Sequence, residues 1–130
     1  GVSAGAPPVS KIYATNGGAF AALREDGQLV TWGLEEYGGE SGILELKNVE
    51  EVYATAGAFC ALVDGSLVTW GHPRYGGDGN AARNLGNVRL VHATSRAFAA
   101  VMADGQVTTW GDVGFGGDST RVRDNFLFLP

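Results

Sequence analysis

Cysteine is nearly absent from this sequence. Cys60 stands alone, so no disulfide can form within the chain, and the redox compartment is not readable from cysteine usage. No run of 18 apolar residues occurs, which leaves no segment able to cross a bilayer as a helix. Basic residues are also few. Nine Lys and Arg face 14 Asp and Glu, for a net charge of −5. A surface of that sign repels phosphate backbones and offers no polybasic grip on anionic lipid, so nucleic acid is not expected as a partner. Only two histidines are present, His72 and His92, and neither has a second ligand at metal spacing. No Ser, His and Asp combination stands in a hydrolase motif. The glycines from Gly111 to Gly117 fit no dinucleotide fingerprint, since no βαβ unit surrounds them. These absences argue against an enzyme, and neither a catalytic residue nor a cofactor nor a metal is expected.

Three copies of one pattern fill most of the chain. The first has Ala14-Thr15, Ala19-Phe20-Ala21, Asp26-Gly27, Val30-Thr31-Trp32-Gly33 and Tyr37-Gly38-Gly39. The second has Ala54-Thr55, Ala58-Phe59, Asp64-Gly65, Val68-Thr69-Trp70-Gly71 and Tyr75-Gly76-Gly77. The third has Ala93-Thr94, Ala97-Phe98-Ala99, Asp104-Gly105, Thr108-Thr109-Trp110-Gly111 and Phe115-Gly116-Gly117. Phe20, Phe59 and Phe98 follow one another at intervals of 39 residues, whereas the tryptophans are spaced by 38 and then 40. The middle copy is one residue shorter between its Phe and its Asp-Gly. Five matched landmarks in register three times over is the signature of a repeat architecture.

Each copy reads as strands. Short apolar runs rich in Val, Thr and aromatics, separated by Asp-Gly, predict β-hairpins, because Gly accepts positive φ and Asp bonds its own backbone. In the last strand of copy one, Val30 and Trp32 share one face and Leu29 and Thr31 the other. Both faces carry bulk, so both are expected to be at least half covered, as when small sheets stack. The excess of glycine, 21 residues, goes to the turns of the three copies. The organisation is then a flank over 1–8, a three-repeat β domain over 9–119 (copies about 9–47, 48–86 and 87–119), and a tail over 120–130. Ile43-Leu44-Glu45-Leu46 fits either a helical turn or an irregular edge strand. The tail residues Phe126, Leu127, Phe128 and Leu129 are too apolar to leave in water. They are expected to pair with an open sheet edge as a closing strand or to contact a partner. An opening at Gly1 reads as a processed form or as part of something longer, with no targeting segment left to read.

Individual residues admit two readings. Trp32, Trp70 and Trp110 serve either as an aromatic binding surface or, as expected here with Phe20, Phe59 and Phe98, as repeated core. Asp26, Gly27, Asp64, Gly65, Asp104 and Gly105 are expected to make turns rather than a carboxylate ring. Tyr75-Gly76-Gly77-Asp78-Gly79-Asn80 has the flavour of a calcium-binding repeat, but only one copy carries it, and calcium needs six to eight oxygens. His72 and His92 are expected to be structural, and Cys60, in the slot of Ala21 and Ala99, a small buried hydrophobe. Arg121 and Arg123 read as solvated surface charge.

Ala-Phe-Ala-Ala-Leu, a turn ending in Asp-Gly, Val-Thr-Trp-Gly and an aromatic-Gly-Gly together resemble the repeat of the regulator of chromosome condensation family, over about 9–119. The resemblance implies an all-β repeat protein of three antiparallel sheets, each a four-stranded propeller blade, arranged as a partial, open arc. Ala19, Ala58 and Ala97 stand where that repeat usually has His. The family's usual ring has seven blades, and three leave two edges to cover: as a fragment, as an arc on a partner, or in an oligomer. No long insertion like the exchange-factor wedge of the founding member is present.

Function is therefore expected to be non-catalytic. The first expectation is a protein–protein interaction or scaffold module, an accessory subunit of a large complex. The Tyr-Gly-Gly-Asp and Val-Thr-Trp-Gly wording is similar to repeats common in proteins of unicellular algae. That likeness implies a photosynthetic version, peripheral on the aqueous side of a photosystem in the plastid. A small-GTPase regulator is the alternative that the family resemblance implies, and a carbohydrate-binding propeller is a third.

Overall fold

The structure, a computed structural model, describes residues 5, 7–39, 42–44, 46, 48–80, 82–120 and 122. Its strands form three antiparallel meanders. The first sheet is β1 (Val9–Thr15), β2 (Ala19–Arg24), β3 (Leu29–Gly33) and β4 (Gly42–Leu44), in that spatial order. The second is β5 (Val49–Ala54), β6 (Ala58–Val63) and β7 (Ser66–Gly71). The third is β8 (Val88–Ala93), β9 (Ala97–Met102) and β10 (Val107–Gly111). Among the described residues there is no α-helix. Three single turns of 3-10 helix follow the Trp-Gly of each copy, at Glu35–Tyr37, Pro73–Tyr75 and Val113–Phe115. The fold is all-β: three open sheets forming blades of a partial propeller.

The hairpins show why the middle copy is shorter. Asp64 and Gly65 alone connect β6 to β7, both at positive φ (51° and 78°), the geometry of a two-residue turn whose twist matches the strands. In the outer copies the loop is longer and closes differently. Gly27 N–H donates to the Arg24 carbonyl and Arg24 N–H to that of Gln28. Gly105 and Met102 repeat this with Met102 and Gln106. Asp26 and Asp104 accept from the N–H of Gln28 and Gln106, at 3.2 and 3.0 Å. The first strand of every blade also carries an irregularity at the same place, after Val9, Val49 and Val88. A bulge there sharpens the local twist of each sheet.

One open alternative closes and one expectation changes. Gly42–Leu44 pairs with β3, so Ile43 and Leu44 lie in an edge strand, the second of the two readings. Only the first blade shows a fourth strand among the described residues. In the second copy the corresponding stretch is a chain of turns. Asp78 accepts from Asn80 N–H, Ala82 N–H donates to the Gly79 carbonyl, and Leu85 N–H to that of Ala82. Turn-forming Asp78-Gly79-Asn80 stand where the first copy has Glu40-Ser41-Gly42, and Ala81 takes the position of the β-branched Ile43. The tail Phe126–Leu129, Arg121 and Arg123 lie outside the described residues.

The apolar cores lie between sheets. One joins Ala19, Ala21, Leu23 and Leu29 of the first blade to Val49, Val52, Phe59 and Ala61 of the second. The other joins Ala58, Cys60, Leu62 and Leu67 of the second blade to Val88, Val91, Phe98, Ala100, Met102 and Trp110 of the third. Each blade thus has a front face carrying the Phe and Trp, and a back face of small residues. The small residues have a reason: Ala19 and Ala21, or Ala58 and Cys60, leave room for the Phe ring of the next blade. Cys60 has no exposure, and burial pushes its thiol pKa up to about 12, which keeps it a neutral filler.

Candidate functional site

The blade junction is the unit that recurs, and its geometry is the same both times. Within a blade, Phe and Trp are direct cross-strand partners: Phe20 with Trp32, Phe59 with Trp70, Phe98 with Trp110. Their ring centroids are 5.4 to 5.5 Å apart. The pair of one blade then docks on the aromatic-Gly-Gly loop of the blade before it. Trp70 Nε1 donates to the Gly38 carbonyl at 3.2 Å, and Trp110 Nε1 to the Gly76 carbonyl at 3.1 Å. Gly38 and Gly76 are left-handed, with φ of 101° and 100°. A Cβ on either would lie 2.6 Å from the ring of Phe59 or Phe98. Glycine is required there both by the backbone and by the approaching ring.

Three further contacts complete each junction. Backbone bonds cross it, from Gly17 N–H to the Ala56 carbonyl (2.8 Å) and from Ala56 N–H to the Ser95 carbonyl (2.7 Å). The loop aromatic then meets the next blade. Tyr37 stacks on His72 at 5.7 Å, while Tyr75 lies under the Arg96 guanidinium, itself 3.6 Å from Asp112. Lastly, a threonine clasps each loop to its own blade. Thr15, Thr55 and Thr94 accept from the N–H of Ala19, Ala58 and Ala97, and donate to the carbonyls of Tyr37, Tyr75 and Phe115. The Ala-Thr landmark is visible in sequence, but its purpose is not.

The first junction carries one more polar contact. Tyr13 donates its phenol to the Glu51 carboxylate, and Lys11 Nζ lies 3.1 Å from the other carboxylate oxygen. Burial, reinforced by the Glu51 charge, raises the Tyr13 pKa well above the ordinary tyrosine value. Burial alone would raise Glu51 too, but the bonds from Tyr13 and Lys11 outweigh it and hold its pKa below the usual carboxylate range.

The three copies differ in what covers them. Ile12, Phe20 and Trp32 on the front of the first blade are 59, 44 and 41% exposed, whereas their third-blade counterparts Val91, Phe98 and Trp110 are 2, 1 and 4% exposed. On the face of Val30 and Trp32, Val30 is half-buried and Trp32 exposed, whereas Leu29 and Thr31 on the other face are buried: the first blade has no blade in front of it among the described residues. Of the three tryptophans offered by the sequence as a joint aromatic surface, two are committed to junctions and only Trp32 faces outward. Asp26, Asp64 and Asp104 lie in separate hairpin turns. His72 accepts from Arg74 N–H through Nδ1 inside the first junction, and His92 is exposed on the back of the third blade. Among the described residues, no group of three or more His, Cys, Asp or Glu is placed to hold a metal, and no helix is long and apolar enough to cross a membrane.

No family model matches the sequence, and no curated protein matches it. Solved structures do match. Yeast RCC1 (Prp20), in its complex with Kap60, superposes with a TM-score of 0.62 at 21% identity, over 79% of this chain and 32% of that one. Prp20p of Saccharomyces cerevisiae, described together with its binding properties to Gsp1p and histones, gives 0.60 at 16% identity, over 86% and 32%. Human WBSCR16 gives 0.57 at 18% identity, over 85% and 34%. The chain spans about a third of the length of these proteins. Three stacked blades joined by Phe-Trp on Gly-Gly thus have the RCC1-like repeat fold.

Proposed function

We propose that this chain is a non-catalytic protein-interaction module whose binding surfaces are the open faces of its outer blades. One observation supports the reading most: Ile12, Phe20 and Trp32 form an apolar face in water whose equivalents in the other two blades are buried, apart from a half-buried Trp70. Contiguous exposed apolar surface on a rigid sheet is characteristic of a docking site. An accessory or scaffold role inside a larger assembly follows naturally, because an arc of blades gains stability from whatever caps it. No feature of the structure favours a photosynthetic assembly over any other.

The test is site-specific photo-crosslinking from the native setting, with a photoreactive phenylalanine analogue at Phe20 and, as control, at the exposed Glu36. Protein adducts from position 20 and none from 36 are expected. A position 20 as silent as 36 overturns the proposal. A second reading, regulation of a small GTPase, draws on the yeast neighbour described with Gsp1p binding. Nucleotide release from a panel of small GTPases, unchanged by saturating chain, removes it.

A further inference from the structure

The two ends of the arc are the two halves of its own junction. On the front of the first blade, Trp32 and Phe20 are stacked as Trp70 and Phe59 are, but among the described residues the Trp32 indole N–H has no acceptor and the Gly17 carbonyl no donor. On the back of the third blade, Gly116 repeats the left-handed turn of Gly38 and Gly76, with φ of 101°. Where a Cβ at those two glycines would strike a phenylalanine ring, a Cβ at Gly116 meets nothing nearer than Thr94 Cγ2, at 4.0 Å. Beside it lies an apolar groove of about 110 Å³, lined by His92, Thr94, Ala97, Ala99 and Gly116 among others. These positions correspond to Tyr13, Thr15, Ala19, Ala21 and Gly38, the part of the first blade that faces the Phe59 ring. Ser95 N–H, the equivalent of the Gly17 and Ala56 donors, has no acceptor among the described residues.

From this match we propose that the open front of the first blade docks on the open back of the third blade of a second copy, head to tail. The inference rests on the interaction-module reading and names its partner. The contact continues an interface the chain already makes twice. Phe20 enters the Ala97–Ala99–Gly116 groove of the other copy, Trp32 Nε1 donates to its Gly116 carbonyl, and its Ser95 N–H donates to Gly17. Phe115 of the other copy then lies against Leu34, both exposed and apolar, in the place of Tyr37 against His72. The Tyr13–Glu51 bond has no counterpart at this contact, where His92 would face Lys11. The second junction already lacks it, since Leu90 occupies the Glu51 position. The interface is heterologous, using different surfaces on the two copies. It therefore closes into a ring if the blade rotation allows and otherwise extends as a filament.

Sedimentation of mixed variants tests this on the chain as it stands. Phe20→Asp disables the front and Ala99→Glu the back, with His92→Lys, at an exposed position and setting a like charge against Lys11, as a second back variant should Ala99→Glu fail to fold by circular dichroism. Wild type is expected to associate with rising concentration. Each variant alone should be monomeric, with association weakened at least about tenfold, as for loss of an interface anchor. A mixture of a front and a back variant keeps one intact front–back pair and should form a one-to-one dimer. Wild type that stays monomeric at high concentration overturns the proposal. So does a back variant that still self-associates, which would mean front-to-front pairing. If the Phe20 photo-adducts then contain a different protein, or the chain's own tail in cis, the interaction-module reading survives while the self-docking inference falls; adducts of the chain with a second copy support both.

Discussion

The first and third blades carry the same Phe–Trp pair on their front faces and experience opposite environments. Phe20 and Trp32 pair across β2 and β3 just as Phe98 and Trp110 pair across β9 and β10. Yet Phe98 is sealed against Gly76 and the small back face of the second blade, while Phe20 stands in water. The strand, the turn and the cross-strand pair are therefore properties of one copy. The core belongs to two copies, and the first blade, with no blade before it among the described residues, shows half of one. This is the behaviour of a quasi-one-dimensional protein, in which stability is held in nearest-neighbour interfaces.

Truncating the ring in each environment breaks the comparison most severely. Phe98→Ala should cost about 3–5 kcal/mol of unfolding free energy, the range for emptying a packed aromatic site. Phe20→Ala should stay under about 1 kcal/mol, as surface changes do, when measured by urea denaturation of dilute protein. Equal losses would mean that the two faces are equally packed. The threonine clasp sharpens the same contrast. Thr55→Val strands the Ala58 N–H and the Tyr75 carbonyl in a buried setting, and about 1–3 kcal/mol should be lost. Thr94→Val removes the same bonds where water replaces them, since Thr94 is exposed, and should cost clearly less. Trp110→Phe gives up part of a buried ring and strands the Gly76 carbonyl, at about 1–3 kcal/mol, whereas Trp32→Phe has no such bond to lose and should show the smallest effect.

Much of the architecture is local and so could be read from residues. Asp64-Gly65 announces a two-residue turn, and the missing residue before it follows from the same geometry. The Phe and Trp landmarks mark one face because they sit opposite each other in the hairpin register. What stayed hidden depends on a neighbour. Nothing in copy one distinguishes Phe20 from Phe59, since burial is decided by the blade in front. The repeated threonine could be counted but not understood, because its partner carbonyl lies about 20 residues on, in the Gly-Gly loop. Asn48 and Asn87 adopt positive φ before β5 and β8, a role that short polar side chains tolerate but do not advertise. Arg96 gives no sign in sequence that it bridges Tyr75 and Phe115, as its slot holds glycine in the other copies.

The measurement that bears most directly on this account is the fluorescence of two single-tryptophan variants, one keeping Trp32 and one keeping Trp110, with the other tryptophans changed to Phe. In dilute solution Trp32 should emit at longer wavelength and be quenched readily by acrylamide, while Trp110 emits at shorter wavelength and resists quenching. Raising the concentration should move Trp32 toward the Trp110 behaviour and leave Trp110 unchanged. A Trp32 as shielded as Trp110 in the dilute monomer would contradict the account, because the front of the first blade would then not be an open half-junction.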